Sequence, residues 1–203
     1  MTVTDVNVVK SAIFERPDDA NKGTLGSLLC VCGSYGMAGA AVMSAKGALR
    51  TGIGLAKCAL PRSIYPIVAQ TILESVYYPL SENADGRISK VNVPFLVSES
   101  CKSSATLVGC GLGVCDDTLK IVFSFIENST TPLVLDADAL NCVAKQPEIL
   151  LRKKAPIIIT PHPGEMSRLT GLATPLVNAE RERVALDFAQ KYGVVTVSYT
   201  HLR

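Results

Sequence analysis

Four short clusters of glycine, polar or small residues each directly follow an apolar run of the sequence. They lie at residues 33–41, 109–113, 136–141 and 160–165. The runs before them are continuous rather than alternating, which indicates strands buried on both faces. In open parallel sheets, ligands bind beyond the carboxyl ends of the strands. We therefore predict that the four clusters meet at one edge of a sheet and form a ligand site.

The first two clusters are rich in glycine. Gly33, Gly36 and Gly39 can adopt positive φ and let the backbone approach a ligand closely. A helix starting near Met37 would point its amide groups at a phosphate or pyrophosphate. Gly111 and Gly113 form a second loop of this kind. Glycine-rich loops are weakly specific, so a tight turn with close helix–strand packing is the alternative for both.

The third cluster carries two carboxylates, Asp136 and Asp138, followed by Asn141. These two carboxylates could bind Mg²⁺ through water or through ligand hydroxyls. The alternative for Asp138 is a helix N-cap, a position that aspartate favours.

The fourth cluster places His162 between two prolines, Pro161 and Pro163, which fix the local backbone. A rigidly held histidine at a strand end can donate to a ligand or polarise a carbonyl. A structural histidine is the alternative. Glu165 is predicted as a first-turn carboxylate favoured by the helix dipole.

The elements that must position these clusters alternate along the chain. Strand–helix alternation with short connections predicts parallel βαβ units, and hence an α/β, doubly wound, mostly parallel sheet with helices on both faces. The segment 81–93 is predicted as a surface excursion, and the first 20 residues as a leading helix or arm. The predicted strands are 27–32, 54–60, 105–109, 132–136, 156–160 and one beginning at 194–197; the predicted helices are 37–50, 64–71, 117–127, 137–144 and 177–192.

Composition excludes several classes of protein. The chain has 203 residues, 48% hydrophobic and 19% charged, with a net charge of +2, which is typical of one globular domain without affinity for nucleic acid or acidic membranes. It has no apolar stretch of about 18 residues and no signal sequence, so we expect a soluble, cytoplasmic protein. The seven cysteines lack a C-x-x-C pair; reduced, buried thiols are favoured over a zinc site.

Five motifs together resemble the ADP- or ATP-dependent (S)-NAD(P)H-hydrate dehydratase family. The resemblance covers residues 21–197 and implies a ribokinase-like fold, Mg²⁺, ADP or ATP as co-substrate, and hydrated NADH or NADPH as substrate. It also implies a homo-oligomer, with a tetramer as the family's usual state. The motifs are Lys22–Gly26, Gly33–Ala41, Ala48–Gly52, Leu135–Asn141 and Thr160–Met166.

Site residues follow from the resemblance position by position. Ala41, Gly111 and His162 match positions that contact the hydrated nicotinamide nucleotide. Neighbours of the nucleotide and magnesium site are then expected among the remaining cluster residues, without a direct protein ligand to the metal; these are Gly39, Asp136, Asp138, Asn141 and Glu165.

The chain departs from the family pattern at three places. Asn21 replaces the usual histidine, and Cys110 replaces the proline of a Gly-Pro-Gly-Leu-Gly loop. After Val197 the family continues with Leu-Lys-Gly and later a Gly-Asp turn that supplies the catalytic aspartate, whereas this chain ends with 198–203, interpreted as a foreign tail. We therefore expect 1–203 to be one partial, C-terminally truncated domain without dehydratase activity of its own.

Two other functions fit the same residues. One is a ribokinase-like kinase for a small alcohol, and the other is a non-catalytic nucleotide-binding fragment. The combination of Thr160–Glu165 with Lys22–Thr24 and Met37–Ala41 favours the dehydratase.

Overall fold

A single sheet of seven strands organises the computed structural model, which describes residues 18, 20 and 23–198. The spatial order is β3-β2-β1-β4-β5-β6-β7, and every pairing is parallel. The predicted N-terminal arm falls mostly outside the described residues, as do residues 199–203. The strands are β1 (Ser27–Val31), β2 (Leu55–Pro61), β3 (Val76–Leu80), β4 (Ala105–Val108), β5 (Leu133–Leu135), β6 (Ile157–Ile159) and β7 (Val195–Thr196).

Helices connect successive strands, with short 3₁₀ helices at Arg62–Ile64, Lys90–Asn92 and Pro147–Arg152. The chain winds from β1 outward to β3, then returns to β4 on the other side of β1 and continues to β7. The order thus reverses between β1 and β4, which is where open α/β sheets bind ligands. The helices are α1 (Ala38–Arg50), α2 (Tyr65–Thr71), α3 (Val93–Cys101), α4 (Asp116–Asn128), α5 (Asp138–Val143), α6 (Pro163–Thr170), α7 (Thr174–Ala179) and α8 (Arg181–Tyr192).

Both faces of the sheet are buried, as the continuous apolar runs predict. Leu29 and Val31 of β1 belong to a large core cluster that includes Leu96, Phe125 and Phe188, from helices α3, α4 and α8. Cys30 and Cys32 point to the opposite face, into a smaller cluster beneath α1 and α2. Since side chains alternate along a strand, β1 contributes to both cores at once. This anchors the first glycine loop, which begins at its end.

Strand β3 and helices α3 and α6 were not among the predicted elements, although Glu165 was expected in the first turn of a helix. Strand β3 contains Pro79, which argues against a central strand because proline has no N–H to donate. It is tolerated because, within the part of the chain that the structure describes, β3 is an edge strand paired with β2 alone. Helix α3 starts with Val93 and Pro94; proline suits the first helical turn, where the N–H has no partner within the helix.

The helix predicted at 177–192 is in fact two helices. Helix α7 ends at Ala179 and α8 begins at Arg181, with Glu180 between them at φ −127 and ψ 37. Among the described residues, no helix has the length and apolar character needed to cross a lipid bilayer. Four of the seven cysteines are buried, as expected for core thiols, whereas Cys101 is exposed and Cys110 and Cys115 are partly exposed.

Candidate functional site

The four residue clusters lie at the carboxyl edge of the sheet, because β1, β4, β5 and β6 are consecutive neighbours in it. The backbone N–H of Gly33 donates to the carbonyl of Cys110 at 2.8 Å, and the Ser34 hydroxyl donates to the carbonyl of Gly111 at 2.8 Å. The prediction that these loops meet is confirmed. The first two flank the point where the strand order reverses.

The first loop needs glycine at two positions but not at the third. Gly33 and Gly36 both have φ +84. A Cβ on Gly33 would lie 2.9 Å from Ile64 Cδ1 and 3.0 Å from Ala41 Cβ, so the loop packs tightly on the core. Gly39 lies instead in the first turn of α1 with ordinary helical φ, so the predicted positive φ is wrong there. A Cβ on Gly39 would meet no atom of residues 23–198 within 4 Å.

The N-terminus of α1 is open to an anion. The side chain of its N-cap residue, Met37, makes no capping hydrogen bond, and none of the residues of its first turn is acidic. Unpaired amide groups and the helix dipole favour negative charge at such an end. Ala41, one turn further on, is 3% exposed and packs in the smaller core cluster. Its methyl group therefore lies beneath the first loop.

The second loop, Gly109–Gly113, has left-handed backbone at Gly109, Gly111 and Gly113. A Cβ on Gly109 would overlap the carbonyl oxygen of Asp136, and one on Gly111 would lie 2.7 Å from Ala40 Cβ. Glycine is therefore required for the two loops and the end of β5 to approach one another this closely.

Asp136 joins two of the strand ends. Its Oδ1 accepts a hydrogen bond from the Thr160 hydroxyl at 2.7 Å, and its Oδ2 accepts from the Cys110 thiol at 3.2 Å. Both carboxylate oxygens thus have protein partners, and the side chain fixes the ends of β4 and β6 relative to β5.

Asp138 is not an N-cap. The N-cap of α5 is Ala137, which has φ +48, and Asp138 is the first helical residue. Its Oδ2 accepts a hydrogen bond from the backbone N–H of Gly113 at 2.8 Å. Its Oδ1 accepts from the Asn141 amide at 3.3 Å, and Arg168 donates to Asn141 Oδ1 at 2.9 Å. A polar chain therefore runs from the second glycine loop to α6.

His162 caps the helix that follows it. Its Nδ1 accepts from the backbone N–H of Gly164 at 3.0 Å and of Glu165 at 3.3 Å. Glu165 completes a capping box, because its Oε2 accepts from the His162 backbone N–H at 2.9 Å, while Oε1 lies 3.2 Å from Nε2. The predicted first-turn carboxylate is confirmed. In this geometry both ring nitrogens face the first turn of α6, as the structural alternative for His162 implies.

Burial changes the chemistry of Glu165, which is 6% exposed. Loss of hydration raises the pKa of the Glu165 carboxyl, although the His162 backbone N–H and the positive charge of Arg168 oppose this. The group is thus a poorly hydrated carboxylate at the start of α6.

The segment predicted as a surface excursion supports both glycine loops. Tyr35 N–H donates to the Gly86 carbonyl at 2.9 Å, and Gly86 packs against the Tyr35 side chain. Arg87 lies across Gly113 and donates to the Val114 carbonyl at 3.3 Å. Glu82 and Ile88 pair antiparallel, so this segment contains a short hairpin, and the Asp85-Gly86 pair, a common turn sequence, indicates its turn. Sequence alone gave no sign of where the hairpin lies.

A hollow at the ends of β6 and β7 adjoins the fourth cluster, between Pro161, Met166 and Thr196. The hydroxyl of Thr196 is buried there and has no hydrogen-bond partner among the described residues. Within the same part of the chain, no group of three or more His, Cys, Asp and Glu side chains is arranged to hold a metal ion.

Comparison with known proteins matches this chain to one family. The family model described as NAD(P)H-hydrate dehydratase matches residues 28–200. The bifunctional NAD(P)H-hydrate repair enzyme of Thermofilum pendens is 37% identical over 176 residues, which cover 87% of this chain and 34% of that protein. The ADP-dependent (S)-NAD(P)H-hydrate dehydratase of Neisseria meningitidis is 30% identical, covering 92% of this chain and 60% of that protein.

Solved structures also match this chain. The ADP/ATP-dependent NAD(P)H-hydrate dehydratase of Bacillus subtilis, co-crystallised with ATP and Mg²⁺, superposes with a TM-score of 0.76 at 27% identity. The match covers 96% of this chain and 65% of that one. A ribokinase-like protein of Enterococcus faecalis, 19% identical, shares the fold with a TM-score of 0.76. The chain thus spans about one third of its bifunctional relatives and about two thirds of the Bacillus structure.

Proposed function

The chain belongs to the NAD(P)H-hydrate dehydratase family, and on that basis we propose that it binds the S epimer of hydrated NADH or NADPH for dehydration at the expense of ADP or ATP. The observation that carries the proposal is the contact between the two glycine loops on either side of the strand-order reversal. A dinucleotide carries a pyrophosphate, and this is the part of the edge where backbone amides are available to an anion.

In this proposal the glycine loops bind and orient the substrate. The amide groups at the start of α1 receive a phosphate, and the small residues Gly39 and Gly111 let the nucleotide approach the backbone. Ala41 supports the first loop from beneath. His162 supplies the polar side chain at the end of β6, and contact with the ligand through Nε2 requires the ring to leave Glu165.

Mg²⁺ and the ADP or ATP co-substrate are assigned to the side of the site near Asp136, Asp138 and Asn141. Carboxylate and amide oxygens are suitable partners for Mg²⁺ and its water ligands. Because each carboxylate oxygen already accepts a hydrogen bond from the protein, these residues would hold the hydrated ion through water. When bound, ADP or ATP supplies the phosphoryl group that makes the substrate hydroxyl a leaving group.

The catalytic base is not assigned to either aspartate. Asp136 and Asp138 position the loops, as their hydrogen bonds to Thr160, Cys110 and Gly113 indicate. The chain's own contribution is to bind and orient the substrate and to place its hydroxyl over the sheet edge, which accelerates a reaction by positioning.

Calorimetric titration of the 203-residue chain with hydrated NADPH, with and without ADP and Mg²⁺, tests the proposal. We expect saturable 1:1 binding that strengthens when nucleotide and Mg²⁺ are present. The alternative, a small-alcohol kinase of the same fold, predicts no affinity for the hydrate. The match of the family model over residues 28–200 favours the dehydratase. Absence of saturable binding of the hydrate would exclude the proposed function.

We also propose that the protein is a homo-oligomer, with a tetramer as the expected state. Large apolar side chains on α1 and α2 support association: Met43 is 71% exposed and Ile67 is 57% exposed. These two helices contact each other, so the exposed apolar side chains lie on neighbouring elements, and exposed apolar patches are typical of interaction surfaces. Light scattering after size-exclusion chromatography measures the molar mass, and a monomer would contradict this proposal.

A further inference from the structure

Two thiols lie beneath the contact between the glycine loops. Cys32 follows the last residue of β1, and Cys110 is the second residue after β4. Backbone hydrogen bonds bracket the pair: Gly109 N–H donates to the Val31 carbonyl at 3.3 Å, and Gly33 N–H donates to the Cys110 carbonyl at 2.8 Å. Cys32 therefore lies opposite the Gly109-Cys110 peptide.

Both side chains point to the same face of the sheet. Cys32 is 1% exposed in the smaller core cluster, and Cys110 is partly exposed and packs against that cluster. Neighbouring strands are about 4.8 Å apart, and disulfides join Cα atoms about 4.4–6.8 Å apart. Strand spacing therefore allows the Cα atoms of this pair to come within the range that a disulfide spans, and Cys110 is the partly exposed member of the pair.

We propose that Cys32 and Cys110 are a redox-active pair that a peroxide converts to an intramolecular disulfide beneath the two glycine loops. Cys110 sulfur attacks one oxygen of hydrogen peroxide, and the O–O bond breaks. Hydroxide departs as the leaving group, and Cys110 becomes a sulfenic acid. Cys32 sulfur then attacks Cys110 sulfur, the S–O bond breaks, and water leaves. Overall the two thiols lose two electrons and two protons, and one peroxide becomes two waters.

The environment of each sulfur fits this order of events. The hydrogen-bond interaction with Cys32 lowers the pKa of the Cys110 thiol, against the effects of burial and of Asp136. The same interaction, together with burial, raises the pKa of Cys32. Cys110 is partly exposed whereas Cys32 is 1% exposed, so peroxide reaches the Cys110 sulfur first and Cys32 is the resolving thiol. The directions of the two pKa shifts agree with this order, because the thiolate is the reactive form.

Two other cysteines provide matched controls. Cys30 precedes Cys32 by two residues and points to the same face of the sheet. It lies opposite Cys58 of the adjacent strand, and Cys30 and Cys58 are both buried. Cys115 is partly exposed and lies in the same tryptic peptide as Cys110. Trypsin releases residues 23–46 with Cys30 and Cys32, and residues 103–120 with Cys110 and Cys115.

The test is peroxide treatment of the 203-residue chain, followed by tryptic mass spectrometry without reduction. We expect peptides 23–46 and 103–120 to be joined with the loss of two hydrogen atoms. The link should persist in Cys30→Ser and Cys115→Ser and disappear in Cys32→Ser and Cys110→Ser. Circular dichroism verifies that the variants are folded. If Cys32→Ser unfolds the chain, comparison of Cys110→Ser with Cys115→Ser still decides whether Cys110 forms the link. No link, or a link lost in either control variant, overturns the proposal.

A second measurement, which rests on the proposed function, concerns regulation. Residues 33–39 and 111–113 directly follow the two sulfurs, so a disulfide would fix the loops relative to each other. We expect the oxidised chain to bind hydrated NADPH at least several-fold more weakly than the reduced chain, with recovery after dithiothreitol. Equal affinities would remove the regulatory role. Failure of the reduced chain to bind would count against the proposed function and leave the mass-spectrometric result unaffected.

Discussion

The carboxylate of Asp138 accepts a hydrogen bond from the backbone N–H of Gly113 at 2.8 Å, which connects α5 to the second glycine loop across 25 residues of sequence. Gly113 has φ +72, and Arg87 covers its other side. The conformation of this loop thus depends on two side chains from other segments: Asp138, which follows β5, and Arg87, from the hairpin before α3.

Replacing Asp138 with Ala should destabilise the protein by about 1.5–3 kcal/mol, because the lost hydrogen bond involves a charged acceptor. Asp116→Ala is the matched control: Asp116 is likewise the first residue of its helix but is exposed. Denaturant unfolding measures both variants. If both lose the same stability, the effect comes from the helix dipole and the Gly113 contact contributes little.

Gly39→Ala should separate binding from stability. A methyl group there meets no atom of the described residues within 4 Å, and alanine is favoured over glycine in a helix by up to about 1 kcal/mol. We expect equal or greater stability but at least about tenfold weaker binding of hydrated NADPH, equivalent to about 1.4 kcal/mol. Gly47→Ala in the same helix, equally unobstructed, should gain stability and bind normally. Normal binding by Gly39→Ala would place the ligand elsewhere.

His162 should contribute to both stability and binding, and two substitutions distinguish the roles. His162→Ala removes the cap of α6 and should cost about 1 kcal/mol. His162→Asn retains a good N-cap residue but cannot reach a ligand as imidazole does. We expect both variants to bind hydrated NADPH more weakly, with only the alanine variant less stable. An asparagine variant with full affinity would show that His162 is purely structural.

Glu99 makes stability depend on pH. It is 9% exposed, accepts from Lys102 at 2.8 Å and from the Tyr78 hydroxyl at 3.0 Å, and lies 3.7 Å from Lys57. The Lys102 hydrogen bond, assisted by Tyr78 and the lysine charges, lowers the pKa of Glu99 despite burial. The stabilisation that ionised Glu99 provides is therefore fully present above the pKa that Glu99 has in the unfolded chain. It is lost as the pH falls through the lower pKa that Glu99 has in the folded protein.

Glu99→Gln should accordingly cost about 1–2 kcal/mol near neutral pH. The difference from the parent should shrink as the pH falls below the ordinary value of 4.5. Glu127→Gln is the control, because its ion pair with Arg152 is solvent-exposed and should contribute less than about 0.5 kcal/mol. Urea unfolding at several pH values measures both. A pH-independent Glu99 difference would refute the electrostatic explanation.

Much of the fold was predictable because its signals are local. Continuous apolar runs identified β1, β2, β4, β5 and β6, and amphipathic stretches identified α1, α2, α4 and α5. The prediction that four strand ends share an edge needed only the parallel connection rule. The predictions that failed also concern local features. Pro79 is untypical of a strand, so the edge strand β3 was missed, and no sequence signal indicated that the helix breaks at Glu180.

The sequence by itself determined which residues end each strand, and therefore that glycine, aspartate and histidine clusters face a common edge. Only the tertiary structure decided what each side chain does there. Asp138 bonds to Gly113 rather than capping its helix, His162 caps α6, and Arg87 lies across the second loop. The reason is physical: backbone propensities and hydrophobic periodicity act over a few residues, whereas hydrogen bonds between strand ends depend on strand order and register. Those are set by packing of the whole sheet.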